Sequence, residues 1–346
     1  MYSEADLQSA VTAGALSREA ADGLRNHAAG MRSAPIADEE HFRLITGFND
    51  IFVSIAAVLL LMACAGIGDA IAPGVAGLLV AGAAWGMAEF FTRQRRMALP
   101  SIILLIGFVG GVAGIPINIL AETDPNLSQR AGALIFSGIG FGAAIAAWIH
   151  WRRFMVPITV AAGAAAVSGM VIALIIAAFA PLISQDVSKQ VLLPLVFAAG
   201  LTVFGVAMRW DMSDRARETR RSDVAFWLHL LAAPMIAHPL FHWLGVTEGE
   251  NIGASAAVGV LAVYVLMGLV ALAIDRRALL VSALAYVLIA MTWLFRKFGM
   301  VELNVAITGL VIGSALLCLS AFWGPIRSAV VGKLSGSLRE RLPVAA

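Results

Sequence analysis

The chain has 346 residues, 60% of them hydrophobic and 13% charged, with a mean hydropathy of +0.88. A soluble domain is about 45–50% apolar and about 25% charged, and a chain this apolar cannot cover itself with polar surface. These figures exclude cytosolic enzymes, nucleic-acid modules and secreted disulfide scaffolds, and they predict an all-α, polytopic transmembrane helical bundle. The formal net charge of +2, from 24 Lys+Arg against 22 Asp+Glu, conceals a strong segregation along the chain.

Residues 1–45 read as a small helical pair. Ser3 with Asp6 resembles a capping box, Gly14 ends the first helix, and Ser17 caps the second, whose apolar face runs through Ala20, Ala21, Leu24 and Met31. The opening MYSEADLQSAVTAG has no apolar core of a signal peptide, so no cleavage is expected. Arg18, Arg25, Arg32 and Arg43 face seven acids in this segment, which lacks the basic face that nucleic acid requires.

The run Asp6-Leu7 through Ala13-Gly14-Ala15-Leu16-Ser17-Arg18-Glu19-Ala20 resembles the opening of a family of bacterial predicted polytopic inner-membrane proteins of unknown function. That family sets a helix–Gly–apolar–Ser/Thr–x–Glu–helix segment before its spans. Its first span is often followed by an Asn-Trp pair, where this chain has Gly66-Ile67-Gly68-Asp69. The likeness covers mainly residues 1–65. It implies an inner-membrane location and brings no activity.

A hydrocarbon core of about 30 Å takes about 20 helical residues. That ruler divides residues 46–323 into about ten spans, near 46–66, 69–91, 98–120, 131–151, 154–183, 190–208, 224–244, 253–274, 279–295 and 303–323. The fifth is long enough to tilt. Twenty of the 24 basic residues fall in the N-terminal segment, in loops 92–97, 152–153, 209–223 and 275–278, and after 324; the opposite loops hold Arg130, Lys189, Arg296 and Lys297. The positive-inside rule then puts both termini in the cytoplasm. Basic corners recur at Arg95-Arg96, Arg152-Arg153, Arg220-Arg221 and Arg276-Arg277, a period that duplicated hairpins would give and that positive-inside topology alone also gives.

Loop 209–223, RWDMSDRARETRRSD, mixes five Arg with four acids and reads as a solvated connector whose Ser222-Asp223 caps the seventh helix. Residues 324–346 carry Ile326, Val330, Val331, Leu334, Leu338 and Leu342 at helical spacing among basic residues. This predicts a cytoplasmic amphipathic tail on the anionic leaflet, with partner binding as the sharper reading. Gly82/Gly86, Gly107/Gly111, Gly110/Gly114, Gly138/Gly142 and Gly309/Gly313 have the spacing that lets membrane helices approach closely.

Ionisable groups inside spans are functional-site hypotheses by default. Asp50 is either a proton or cation site or an anion on a helix N-terminus. Glu89 is either an interface-level pair with Arg93, four residues on, or a member of a polar cluster with Asp50. Span seven, FWLHLLAAPMIAHPLFHWLG, holds His238 and His242 at i,i+4 spacing beside Pro234 and Pro239, as a kinked packing helix or an ion pocket. His150 and His229 sit at unmatched depths for a haem, Cys64 and Cys318 form no redox motif, and no cofactor or metal is expected.

The leading expectation is passage of a small solute or ion along Asp50, Glu89, His238 and His242. No catalytic constellation is visible, and the bilayer is the expected partner. The alternative is a non-catalytic membrane subunit or scaffold that binds a partner through residues 1–45, loop 209–223 or the C-terminal helix, and a homo-oligomer or membrane partner is compatible with either reading.

Overall fold

The structure, a computed structural model, describes residues 9–24, 48–123, 127–180, 188–215, 217, 219–246, 254–297, 304–340 and 342–343. The chain divides into two units, Met1–Arg43 and Leu44–Ala346.

In the first unit, residues 9–12 and 18–24 are helical. Gly14 takes the left-handed conformation (φ 70°) that stops a helix without a Cβ clash. The Ser17 hydroxyl accepts the Ala20 N–H at 3.1 Å, the predicted N-cap, and Ala21 is buried. Ser3, Asp6 and Met31 lie outside the described residues.

The second unit is built of helices joined by short turns, with no strand among its described residues. Its helices are α1 (Phe48–Ile71), α2 (Val75–Ala88), α3 (Ala98–Thr123), α4 (Gln129–Phe154), α5 (Ile158–Phe179) and α6 (Ser188–Met212). They continue as α7 (Arg220–Trp243), α8 (Ala254–Ile274), α9 (Ala278–Lys297), α10 (Asn304–Ala321), α11 (Trp323–Gly332) and α12 (Gly336–Arg339). A π-helical turn, Glu89–Gln94, prolongs α2. Helices α1 to α7 are each long and apolar enough to cross a membrane, α2 counting its π-helical turn, and α10 and α11 form a pair bent by 75°. Large apolar side chains such as Phe52, Leu59 and Met62 of α1 point outward, as they must where the solvent is hydrocarbon. The chain is a multi-pass helical membrane protein.

Local departures from the predicted boundaries have identifiable causes. The first helix runs through Gly66, Gly68 and Asp69 and ends at Ala72-Pro73-Gly74, because Pro and a left-handed Gly (φ 84°) stop a helix more firmly than isolated glycines do. Gly68 instead serves packing: a Cβ there would meet the backbone of Ala76 across the turn. Nor is the fifth helix unusually long. The α4–α5 corner at Met155, Val156 and Pro157 leaves α5 with 22 residues. Helix α7 begins at Arg220, two residues before Ser222, with Thr219 as its cap; the Thr219 hydroxyl accepts the Arg221 N–H at 3.2 Å.

Neighbouring helices pack largely in chain order, and α7 also reaches past its neighbours, touching α5, α6 and α9. It buries 56% of its most apolar stretch, against 11–33% for the other six crossing helices. One apolar cluster joins Trp151 and Val160, flanking the α4–α5 corner, to Trp210 and Val224, flanking the α6–α7 corner. Arg153 reaches Glu89, and Asp211 reaches Arg276. The four basic corners therefore share one end of the bundle. Each corner also contains a non-glycine residue with positive φ: Arg96, Met155, Arg217 and Asp275. Such residues cost about 1–2 kcal/mol, so their recurrence marks the corners as similarly built turns.

Close glycine packing occurs, at positions different from most of those the spacing picked. Cβ atoms at Gly82, Gly86, Gly110, Gly138, Gly142, Gly309 or Gly313 would meet nothing within 4 Å. Of the pairs picked, Gly107/Gly111 is tightly packed, a Cβ on Gly107 lying 2.8 Å from the Leu61 side chain, and the other tight crossings involve Gly77 and Gly140. A Cβ on Gly77 would lie 2.6 Å from the Gly111 carbonyl oxygen, one on Gly111 2.7 Å from the Ala81 nitrogen, and one on Gly140 3.0 Å from the Ala166 carbonyl oxygen. Backbone-to-backbone contact between α2 and α3 thus depends on hydrogen in place of a side chain. Gly111→Val should lower the thermal midpoint in detergent sharply and Gly142→Ala should leave it within a few degrees or raise it, read by scanning fluorimetry. Equal sensitivity at the two positions would contradict this packing.

Candidate functional site

The end of the bundle that carries the basic corners holds a buried network of charges. It is built by the C-terminal turn of α6, the first turns of α7, the α8–α9 corner and α11. Asp211 is 1% exposed and His229 is fully buried. The Asp211 carboxylate accepts from Arg276 Nη2 at 2.6 Å through Oδ1, and its Oδ2 lies 2.8 Å from His229 Nε2. Arg276 Nη2 also donates to the carbonyl oxygen and hydroxyl of Ser222 at 3.1 and 3.2 Å. This single guanidinium thus ties α6, α7 and the α8–α9 corner together. His229 packs its ring edge-on against Phe204, 5.1 Å between centroids, and its buried Nδ1 has no hydrogen-bond partner among the described residues.

A second carboxylate completes the network. Asp275 Oδ2 accepts from Arg217 Nη1 at 2.7 Å and Oδ1 from Trp323 Nε1 at 2.7 Å, with Arg327 Nε 3.6 Å from Oδ1. Arg217 Nη2 donates to the carbonyl oxygens of Ile274 and Asp275, which fixes the corner in its left-handed conformation. Burial and the neighbouring Arg276 guanidinium pull the Arg217 guanidinium below its usual range, while Asp275 and Asp211 oppose the shift. Arg277 lies over the Trp323 ring at 5.0 Å.

The C-terminal segment closes the network. Arg327 Nη2 donates to the Pro343 carbonyl at 2.8 Å and Arg215 Nε to the Leu342 carbonyl at 2.9 Å. The expectation of a solvated connector at 209–223 is therefore corrected: Asp211, Asp214 and Ser222 are buried, and Asp214 Oδ2 accepts from the amide and hydroxyl of Thr219 at 2.9 and 2.7 Å. The tail after 324 also differs from an interfacial helix. It breaks at residues 333–335, and Trp323, Arg327, Val331 and Leu342 turn inward.

The residues singled out from sequence are distributed over three places. Asp50 lies in the first turn of α1 and is buried, one turn from Ser54. Glu89 begins the π-helical turn and pairs with Arg93 at 3.2 Å, as its spacing predicts. Its stronger partner is Arg153 of α4, which grips both carboxylate oxygens at 2.7 and 2.9 Å. Neither arginine belongs to α1, so the Glu89 cluster is built between α2 and α4. His238 and His242 share a face of α7 with ring centroids 6.5 Å apart. His238 Nδ1 lies 2.8 Å from the Tyr286 hydroxyl of α9, and α7 runs helical through Pro234 and Pro239.

His150 is fully buried among Phe108, Phe154 and Trp85, with Nδ1 3.2 Å from the Thr159 hydroxyl. No group of three metal-ligating side chains occurs among the described residues. Comparison with known families, curated proteins and solved structures finds no match to this chain.

Sequence reasoning missed Asp211, Asp275, Arg217, Arg276 and Arg327 as one cluster, since their partners lie 48 to 65 residues apart. One signal was present: Asp275 and Arg276 stand together at a corner of only a few residues, where two charges have little room to reach water. Removing one partner of a buried ion pair costs about 3–5 kcal/mol. Asp211→Asn and Asp275→Asn should each cost stability on that scale in a denaturation titration in micelles. Asp211→Asn combined with Arg276→Gln should cost less than the two single losses added. Additive losses would mean that the two side chains do not act as a pair.

Proposed function

We propose that the protein passes a small solute or ion across a bacterial inner membrane, with proton transfer at His229 coupled to that passage. In this reading the chain makes ten spans with both termini in the cytoplasm, and it acts as a conduit with no catalytic chemistry of its own. One observation carries the reading: a fully buried histidine on the most buried helix has Nε2 on a carboxylate and Nδ1 without a partner. A neutral imidazole that donates Nε2–H to Asp211 keeps its Nδ1 lone pair open for a proton. The cation so formed is held by Asp211, while Arg276 beside it limits how long it persists. Buried ionisable groups at membrane depth mark ion and proton paths more often than they mark simple packing.

Asp50 and Glu89 then belong to the cytoplasmic mouth, and His238 and His242 to the outer half of α7. The reading of a scaffold that binds partners through its cytoplasmic segments has less support. Arg215, Arg217 and Arg327, and the carbonyls of Leu342 and Pro343, are engaged within the bundle.

Proteoliposomes holding a pH-sensitive dye test the coupling under an imposed potassium diffusion potential. The wild type should acidify or alkalinise the lumen faster than protein-free vesicles, and His229→Gln should slow the change by roughly tenfold or more. Unchanged flux in a folded His229→Gln protein would sink the role of this histidine. Wild-type flux no faster than empty vesicles would sink proton-coupled passage itself.

Topology has a separate test in a background lacking Cys64 and Cys318. A cysteine replacing Arg130 should react with a membrane-impermeant maleimide in intact spheroplasts, and one replacing Arg96 only after permeabilisation. The opposite pattern would invert the orientation.

A further inference from the structure

Not every arginine at the basic end is used up. Between α6 and α7 lies a groove of about 430 Å³ lined by Val206, Arg209, Trp210, Ser213 and Arg221. Arg209 and Arg221 are exposed, and among the described residues neither guanidinium makes an ion pair or a side-chain hydrogen bond. This separates them from Arg217, Arg276 and Arg327, which are spent on carboxylates and carbonyls within the bundle.

The lining is graded along α6. Val206, one turn toward the apolar part of the helix, leaves its side chain outward; Trp210 is half-buried; Arg209 and Ser213 share one face a turn apart. The Ser213 hydroxyl donates to the Trp210 carbonyl at 2.7 Å, which leaves its oxygen as an acceptor toward the groove. Arg221 enters from the first turn of α7, at the positive end of that helix's dipole. Two guanidiniums lining one groove with an indole and a valine match an anionic head joined to a hydrocarbon tail.

We infer that this groove binds an anionic phospholipid, its phosphate held between Arg209 and Arg221 and the start of its acyl chain lying against Val206 and Trp210. The occupant is a lipid and not free phosphate because the groove opens where a membrane-crossing helix leaves the apolar layer, so its floor meets chains and its rim meets headgroups. The inference rests on the chain being a membrane protein and is independent of transport or proton coupling.

The test uses the full chain, purified in mild detergent and exchanged into mixed micelles of phosphatidylglycerol and phosphatidylcholine. Lipid that stays bound is counted by native mass spectrometry. Wild-type protein should retain phosphatidylglycerol over phosphatidylcholine, and Arg209→Gln with Arg221→Gln should lower that preference by roughly tenfold or more. The pair Arg95→Gln and Arg96→Gln, at another basic corner, should keep it.

Equal retention of the two lipids by wild type would overturn the inference, as would a preference unchanged in the Arg209/Arg221 variant. Release of the lipid by inorganic phosphate at millimolar concentration would also overturn it, since the site would then read phosphate without a chain. Should the double variant fail to fold, phosphatidylglycerol with brominated chains offers a second readout on native side chains. It should quench a component of tryptophan fluorescence that Trp210→Phe lacks, and brominated phosphatidylcholine should not. Absence of that component would overturn the inference as well.

Discussion

Two carboxylates that cannot reach water organise one half of this molecule. Asp211 and Asp275 sit within a few residues of helix ends, and each would be costly to bury alone. Arg276 answers the first and Arg217, Trp323 and Arg327 answer the second, so the charges fix where α6, α7, the α8–α9 corner and α11 meet. Apolar packing cannot set that register. In hydrocarbon, helices gain little from hiding leucine, and directional contacts and close backbone approach choose the arrangement. The first half of the bundle uses the second of these devices, with Gly77 and Gly111 bringing α2 against α3. It adds one charged clasp, Glu89 with Arg153, between α2 and α4.

What the sequence yields and what it withholds divide along the range of the forces involved. Helix content and the N-cap at Ser17 follow from composition and neighbours a few residues away and appear as expected, while several helix ends shift by a few residues. The Glu89–Arg93 pair belongs to the same class, since four residues make one helical turn. Arg153 does not, because nothing local in the sequence says that a residue 64 positions away will cross to Glu89. Loop 209–223 was misleading for a related reason. Alternating Arg and Asp look alike whether they are hydrated or paired, and only the arrival of Asp275 and Arg276 decides between the two. The glycine spacing found one close approach, at Gly107 and Gly111, and otherwise picked open faces: a period of four marks a helix face, and the sequence does not say which face meets another helix.

Three of the histidines occupy environments that a hydropathy trace treats alike. His150 is enclosed by aromatic rings with a threonine hydroxyl in reach, His238 shares a hydrogen bond with Tyr286, and His229 has a carboxylate. Only in the last does a charge of opposite sign stand ready to stabilise a proton on the ring. The three share a residue type and differ in what each could do with a proton. That is why the functional reading centres on a position the sequence did not favour.

Synthesis from the N-terminus imposes an order on the charged network. Asp211 finds His229 within the same helical pair, 18 residues on, but Arg276 follows 65 residues after Asp211, and Trp323 another 48 after Asp275. The α6–α7 hairpin therefore enters the bilayer with an acid and several arginines whose final partners have not been made, and these must wait at the headgroup layer. The clasp at Leu342 and Pro343 is added last of all. Maturation of this half is thus a latch closed from its C-terminal side, and a nascent chain halted before residue 275 would carry those arginines without their acid.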